Sequence, residues 1–222
     1  MKPAELLGRA TTPDGSDMTL IRRGSELVIL ADGKALMSSR MHGSEEALAT
    51  FGCDRARHLD EPRVLVGGLG MGFTLRATLD LMPGEGSVVV AELMPAIVEW
   101  NQGVLGELAG NPLKDRRVRV ALGDVAETMR ANRGGFDAIL LDVDNGPSAF
   151  AQAGNGGLYG DVGLALARAA LRPGGVYAVW SARDDVKFEH RLRYNGFTVA
   201  TERVRGRLQK GGPRHTIFVG RL

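Results

Sequence analysis

A single cysteine, Cys53, stands in a chain of 222 residues, so no internal disulfide can form. Its thiol reads as a small buried hydrophobe. No run of about 18 apolar residues occurs, which leaves no candidate for a membrane-spanning helix. The opening MKPAELLGRATTPDGSD is polar and has no apolar stretch of signal-peptide length. A cytoplasmic protein without a membrane partner is the expectation. Net charge is only +2, too little for a strong nucleic-acid footprint over the whole chain. The four histidines, His42, His58, His190 and His215, do not stand at metal-ligand spacing with another ligand, so no metal is expected. There is no G-x-S-x-G elbow to support serine-hydrolase chemistry. Internal repeats and low-complexity segments are also missing.

What is present is a change of rhythm near residue 60. Met18–Arg22 and Glu26–Leu30 are strand-like runs separated by the turn signal Arg23-Gly24-Ser25. Asp32-Gly33 adds a tight turn before Lys34–Ser38. Residues 1–60 read as a small antiparallel β-meander, followed by a short helix with Ser44 as its cap. In residues 61–222, β-rich runs alternate with helical stretches. The runs are Val64–Val66, Ser87–Ala91, Val118–Ala121, Ala138–Leu141 and Val176–Trp180; the helices are Thr74–Leu81, Ala96–Leu108, Val125–Asn132 and Asp161–Leu171. This order predicts an α/β fold, a doubly wound and mostly parallel sheet with right-handed crossovers. A helix near Asp184–Tyr194 and the runs Phe197–Val204 and Thr216–Val219 extend the sheet by an antiparallel hairpin.

The stretch VLVGGLGMGFTLRATL is a strand, a glycine loop and a helix. Glycines let the backbone turn tightly and let a ligand come close. The helix start offers free N–H groups and a positive dipole end. Gly68, Gly70 and Gly72 are spaced G-x-G-x-G, and Phe73 stands where a dinucleotide fingerprint carries its third glycine. Glu92 ends the next strand, 20 residues after Gly72, where a carboxylate accepts hydrogen bonds from both ribose hydroxyls. A glycine turn beside a solvated glutamate is the bland alternative, and the strand–helix alternation weighs against it. Asp124 follows the third strand, placed to accept the adenine amino group or to cap the helix Val125–Asn132. ILLDVDNGP puts Asp142 and Asp144 at the end of the fourth strand, with Asn145 in an Asn-Gly-Pro turn signal. Four strands thus deliver polar groups to one crevice at their carboxyl ends.

With VLVGGLGMGFTLR, AELMPAIVEW, ALGDVAE, ILLDVDNGP, Leu158-Tyr159 and LRPGG in this order, the chain resembles the spermidine synthase-like family of polyamine aminopropyltransferases. That family shares the class I methyltransferase fold and carries an N-terminal β-meander. The resemblance covers roughly residues 18–180. It implies that Glu92 binds ribose and Asp124 adenine, and that Gly68, Gly70, Met71 and Gly72 lie under the methionine-like part of the donor. Asp142 would hold or deprotonate the attacking amine, with Asp144 beside it. Glu46, Asn145 and Tyr159 would contact the acceptor. The family's loop reads G-G-G-D-G-G, and its aspartate holds the amino end of decarboxylated S-adenosylmethionine. Here Gly70 or Met71 takes that place. The family's Tyr-His-Glu stretch aligns with Ser44-Glu45-Glu46, its D-x-x-D-P with Asp142–Pro147, and its glutamine after the fifth strand with Trp180-Ser181.

A sulfonium donor gives up a methyl or an aminopropyl group by in-line attack, and the protein positions the partners and controls the nucleophile's proton. Loss of the loop acid removes a reason to prefer the decarboxylated donor. Methyl transfer from S-adenosylmethionine to a small amine or other nucleophile is therefore the expectation, with aminopropyl transfer from decarboxylated S-adenosylmethionine as the alternative. A third reading is a catalytically silent nucleoside- or RNA-binding module, because residues 183–222 hold ten Lys/Arg against four Asp/Glu. That tail lacks interleaved aromatics, so nucleic acid is not the expected partner. A homodimer is implied by the family. Gln152–Gly157 reads as a surface loop, with a lid over the site as the alternative.

Overall fold

The computed structural model describes residues 4–143, 146–147, 157–207 and 211–222. A four-stranded antiparallel sheet comes first: β1 (Glu5–Thr11), β2 (Asp17–Arg23), β3 (Glu26–Ala31) and β4 (Lys34–Ser38), paired in sequence order. The meander expected from residue 18 thus has an additional strand in front. β1 is nearly all exposed or half-exposed, so it lacks the apolar alternation by which a strand is recognised. What anchors it is Gly8, where the indole of Trp100 fills the space a Cβ would need.

Helix α1 (Gly43–Gly52) leads to a seven-stranded sheet built from β5 (Arg63–Gly67), β6 (Ser87–Glu92), β7 (Val118–Leu122), β8 (Phe136–Leu141), β9 (Leu171–Ser181), β10 (Thr198–Arg205) and β11 (Arg214–Arg221). Its order is β10-β11-β9-β8-β5-β6-β7. β5 to β9 run parallel, while β10 and β11 form the expected antiparallel hairpin at one edge. The helices are α2 (Phe73–Leu81), α3 (Pro95–Gln102), α4 (Val125–Ala131), α5 (Asp161–Ala170) and α6 (Val186–Tyr194). The fold is the doubly wound α/β sheet read from the sequence.

Side chains alternate across a strand, and the central strands are apolar on both faces. Val64 and Val66 enter the core that also holds Leu48 and Leu75. Leu65, with Ile139 and Leu141, enters the opposite core with Phe188 and Phe218. No helix among the described residues is long and apolar enough to cross a membrane.

Two boundaries differ from the sequence reading. The helix expected over Ala96–Leu108 stops at Gln102, and Gly106–Ala109 forms a separate 3-10 turn. At residue 106 a Cβ would strike the Asn101 carbonyl, so the chain folds back there. The fifth strand, expected over Val176–Trp180, starts earlier: Arg172-Pro173-Gly174-Gly175 lies inside β9 at a shift of register against β8. Four residues of β9 stand there opposite one of β8, between the pairs Phe136–Leu171 and Ala138–Val176.

Candidate active site

β5 and β8 are neighbours in space, yet the chain leaves them in opposite directions, one toward β6 and the other toward β9. Such a switch point opens a crevice at the strands' carboxyl ends. Gly67 pairs with Leu141 there, so Gly68 and Asp142 emerge side by side. Gly68 has φ +88°, and a Cβ on it would collide with the Asp142 carbonyl oxygen. Gly72 caps α2 at φ +85°, turning the loop into the helix. Asn101 on α3 steadies the loop, its Nδ2 donating to the Gly70 carbonyl at 2.8 Å.

Glu92 is a structural clasp as well as a candidate ligand. Its Oε2 accepts the Leu69 N–H and its Oε1 the Met94 N–H, both at 2.8 Å. It is 8% exposed. Each carboxylate oxygen keeps a further lone pair free for a ribose hydroxyl. Leu93 and Leu122 stand at the same end of the sheet and are more than half exposed, an apolar setting suited to a flat base. Asp124 caps α4, its Oδ1 accepting the Ala126 N–H at 2.8 Å.

Beside the loop lies a cavity of about 200 Å³. Met37 of the N-terminal sheet, Gly70 and Met71 of the loop, Glu45 of α1, Asp142, and Trp180 of β9 line it. The Thr74 hydroxyl donates to Asp142 Oδ2 at 2.6 Å. Burial pushes the Asp142 carboxyl up to about 6, against the pull of that hydroxyl. Burial, and then the charge of Asp142, push Glu45 up to about 7. Two half-buried carboxyls that oppose each other's ionisation in one cavity suit a cationic ligand, which would let both ionise.

The other sequence candidates fall as follows. Glu46 turns toward His42, its Oε1 lying 2.7 Å from Nδ1, while the His42 ring stacks on Phe73 at 4.2 Å. Tyr159 is buried in the core on the opposite face of the sheet, and its hydroxyl donates to the Val143 carbonyl at 3.2 Å, just behind Asp142. Asp144, Asn145 and residues 152–156 of the expected loop lie outside the described residues. Ser44 does not cap α1: the helix has His42 at its N-cap and no side-chain cap there. Ser44 instead donates to Glu45 Oε2 at 2.6 Å.

Glu45 is the cavity residue that sequence reasoning passed over in favour of Glu46. Helical spacing carries the signal. Glu45 is three, four and seven residues before the buried Leu48, Ala49 and Gly52, so all four share one face. Glu46 lies four residues after His42 and pairs with it instead.

No family model matches the chain. A polyamine aminopropyltransferase of Mycobacterium tuberculosis is 30% identical over 168 residues, 73% of this chain and 30% of the relative. A spermidine synthase of Dictyostelium discoideum is 31% identical over 135 residues, 59% of this chain and 45% of the relative. The chain therefore spans less than half the length of these curated relatives. Among solved structures, a spermidine synthase in complex with the transition state analogue AdoDATO and the spermidine synthase of Thermotoga maritima each superpose with a TM-score of 0.75. Each does so at 17% identity, over 98% of this chain and 72% of the other. This chain is spermidine synthase-like. At that identity the solved structures speak for the fold, and the curated relatives for the family. Among these relatives the spermidine synthase-like chain finds no support for the methyl transfer expected from its loop. Their names favour the aminopropyl alternative. The expectation of methyl transfer rested on the missing loop aspartate, and it did not count Glu45, a carboxyl that reaches the same cavity from α1.

Proposed function

We propose that the cavity transfers an aminopropyl group from decarboxylated S-adenosylmethionine to a small amine. One observation carries this reading: the Glu45–Asp142 pair lies beside a glycine loop that has no acid of its own. The decarboxylated donor ends in an ammonium group with no carboxylate, and the acceptor amine is also cationic at neutral pH. Two half-buried carboxyls favour both and disfavour the carboxylate of ordinary S-adenosylmethionine.

In the proposed reaction the donor's ribose hydroxyls bond to Glu92, its adenine lies near Asp124 between Leu93 and Leu122, and its sulfonium end passes over Gly70 and Met71. Asp142 takes a proton from the acceptor's ammonium group. The freed lone pair attacks the aminopropyl carbon next to sulfur. The carbon–sulfur bond breaks, its electron pair returns to sulfur, and methylthioadenosine leaves. Thr74 keeps the Asp142 carboxylate aimed throughout.

The test incubates the full chain with decarboxylated S-adenosylmethionine and a panel of mono- and diamines, reading products by mass spectrometry. Methylthioadenosine appearing together with an aminopropylated amine is the expected result. Methylated product formed from S-adenosylmethionine, with none from the decarboxylated donor, would overturn the reading.

A further inference from the structure

The wall of the cavity away from the glycine loop holds a group that the transfer reading does not use. His215 lies on β11, opposite Val204 of β10 and partly exposed, with its ring 4.7 Å from that of Trp180. Its Nδ1 is 2.8 Å from Ser44 Oγ, which in turn donates to Glu45 Oε2 at 2.6 Å. Ser44 is 1% exposed. Three polar side chains from two distant parts of the sequence thus form one continuous line from a cavity carboxyl to a partly exposed imidazole.

The spacing is held by the backbone. The Gly43 N–H donates to the Gly206 carbonyl at 3.0 Å, tying the start of α1 to the end of the β10 strand. Gly206 also sits against the imidazole, since a Cβ there would meet Cε1 at 3.1 Å. Ser44, freed from capping its helix, has both of its hydroxyl contacts in this line.

Aminopropyl transfer gives such a line a task. The acceptor arrives as an ammonium ion and attacks only after losing a proton. The donor's sulfonium charge ends up on the product amine, so one proton per turnover must leave the cavity. We propose that Glu45, Ser44 and His215 conduct that proton from the cavity to solvent, an inference that rests on the aminopropyl transfer reading.

The steps balance. Glu45 receives the proton from the acceptor or from Asp142. Its carboxyl proton passes to Ser44 Oγ as the Ser44 hydroxyl proton passes to His215 Nδ1. The imidazolium then releases its Nε2 proton to water, and exchange with solvent restores the starting tautomer. Burial lowers the pKa of His215, so at neutral pH the ring is neutral and able to accept. Among the described residues, the titratable groups on its side are Glu45, reached through Ser44, Asp142 beyond it, and Glu202, which pairs with Ile217 two positions along the same face of the hairpin. Arg203, Arg205 and Arg214 are one position away along the paired strands and so lie on the other face, where Arg203 binds Asp184.

The test has a structural arm and a kinetic arm, both on the full chain. In the first, NMR follows the His215 ring nitrogens through a pH titration. Removing the Glu45 charge with Glu45→Gln should move the His215 midpoint down, and Ser44→Ala should abolish most of that linkage. In the second, decarboxylated S-adenosylmethionine and the acceptor found in the amine panel are used. Ser44→Ala and His215→Gln should each lower kcat on the order of tenfold with KM unchanged, and added imidazole should restore the His215→Gln rate in proportion to buffer basicity. A His215 titration indifferent to Glu45→Gln, or a His215→Gln chain with full kcat, overturns the path. A wild-type chain that turns over no amine while the titrations remain linked overturns the transfer reading and leaves the wiring standing.

Discussion

Gly68 and Asp142 leave adjacent parallel strands so close together that the Asp142 carbonyl oxygen occupies the space a Cβ on residue 68 would take. The glycine loop and the candidate base are therefore one construction, and neither can shift without the other. Gly68→Ala meets both the collision and a positive φ. It should destabilise the chain by roughly 2–4 kcal/mol and displace Asp142. Urea denaturation checks the first and donor turnover the second. A mutant as stable as the parent would show that the loop relaxes freely.

Glu92→Ala should be costly before any ligand binds, because two backbone N–H groups lose a carboxylate partner. Each such bond contributes about 1.5–3 kcal/mol, so a total loss of roughly 3 kcal/mol is expected after local relaxation. Glu92→Gln keeps one oxygen and should fall between the two. Thermal denaturation, with methylthioadenosine titrated into the folded fraction, separates the clasp from the ribose contact. Weakened binding without loss of stability would mean that the carboxylate serves the ligand alone.

The Glu45–Asp142 pair makes stability depend on pH in a defined direction. Both carboxyls are raised in the folded chain, to about 7 and about 6. The native state therefore keeps protons that the unfolded chain releases from about pH 4 upward. The full contribution is present below that pH and is lost as pH rises through the folded values. Glu45→Gln removes one of the charges and should raise the melting temperature by about 2–4 °C at pH 8, with little change at pH 5. Equal melting temperatures of mutant and parent at both pH values would show that the two carboxyls do not share the cavity.

Much of this was legible before the structure, for physical reasons. Central parallel strands such as Val64–Val66 are apolar on both faces, and the loop's glycines and the acid that ends β6 stand at the spacing a nucleoside crevice needs. β1 was not legible, because its sequence carries no alternation and its anchor, Trp100, comes from far along the chain. Glu45 was visible only through the helical phase set by Leu48 and Ala49, and matching by neighbouring residue types chose Glu46 instead. The Ser44–His215 contact joins residues 171 positions apart, and nothing local announces it.

Asp142→Asn preserves shape and can still accept the Thr74 hydroxyl, but it cannot take a proton. Turnover should fall on the order of a hundredfold or more, while donor affinity changes by only about two- to threefold. Steady-state kinetics beside calorimetry checks the split. Equal losses in both would make Asp142 a binding group instead of the base.

The central claim is that the carboxyl pair on α1 and β8 does what an acid in the glycine loop would do, and selects a donor with a cationic, carboxylate-free tail. The most direct measurement is calorimetric titration of the full chain at pH 7.5–8, above the raised values of both Glu45 (about 7) and Asp142 (about 6), with S-adenosylmethionine and with its decarboxylated form, repeated for Glu45→Gln. The account predicts tighter binding of the decarboxylated donor, by about tenfold, with most of that preference lost in Glu45→Gln. Tighter binding of S-adenosylmethionine, or a preference untouched by Glu45→Gln, would contradict it.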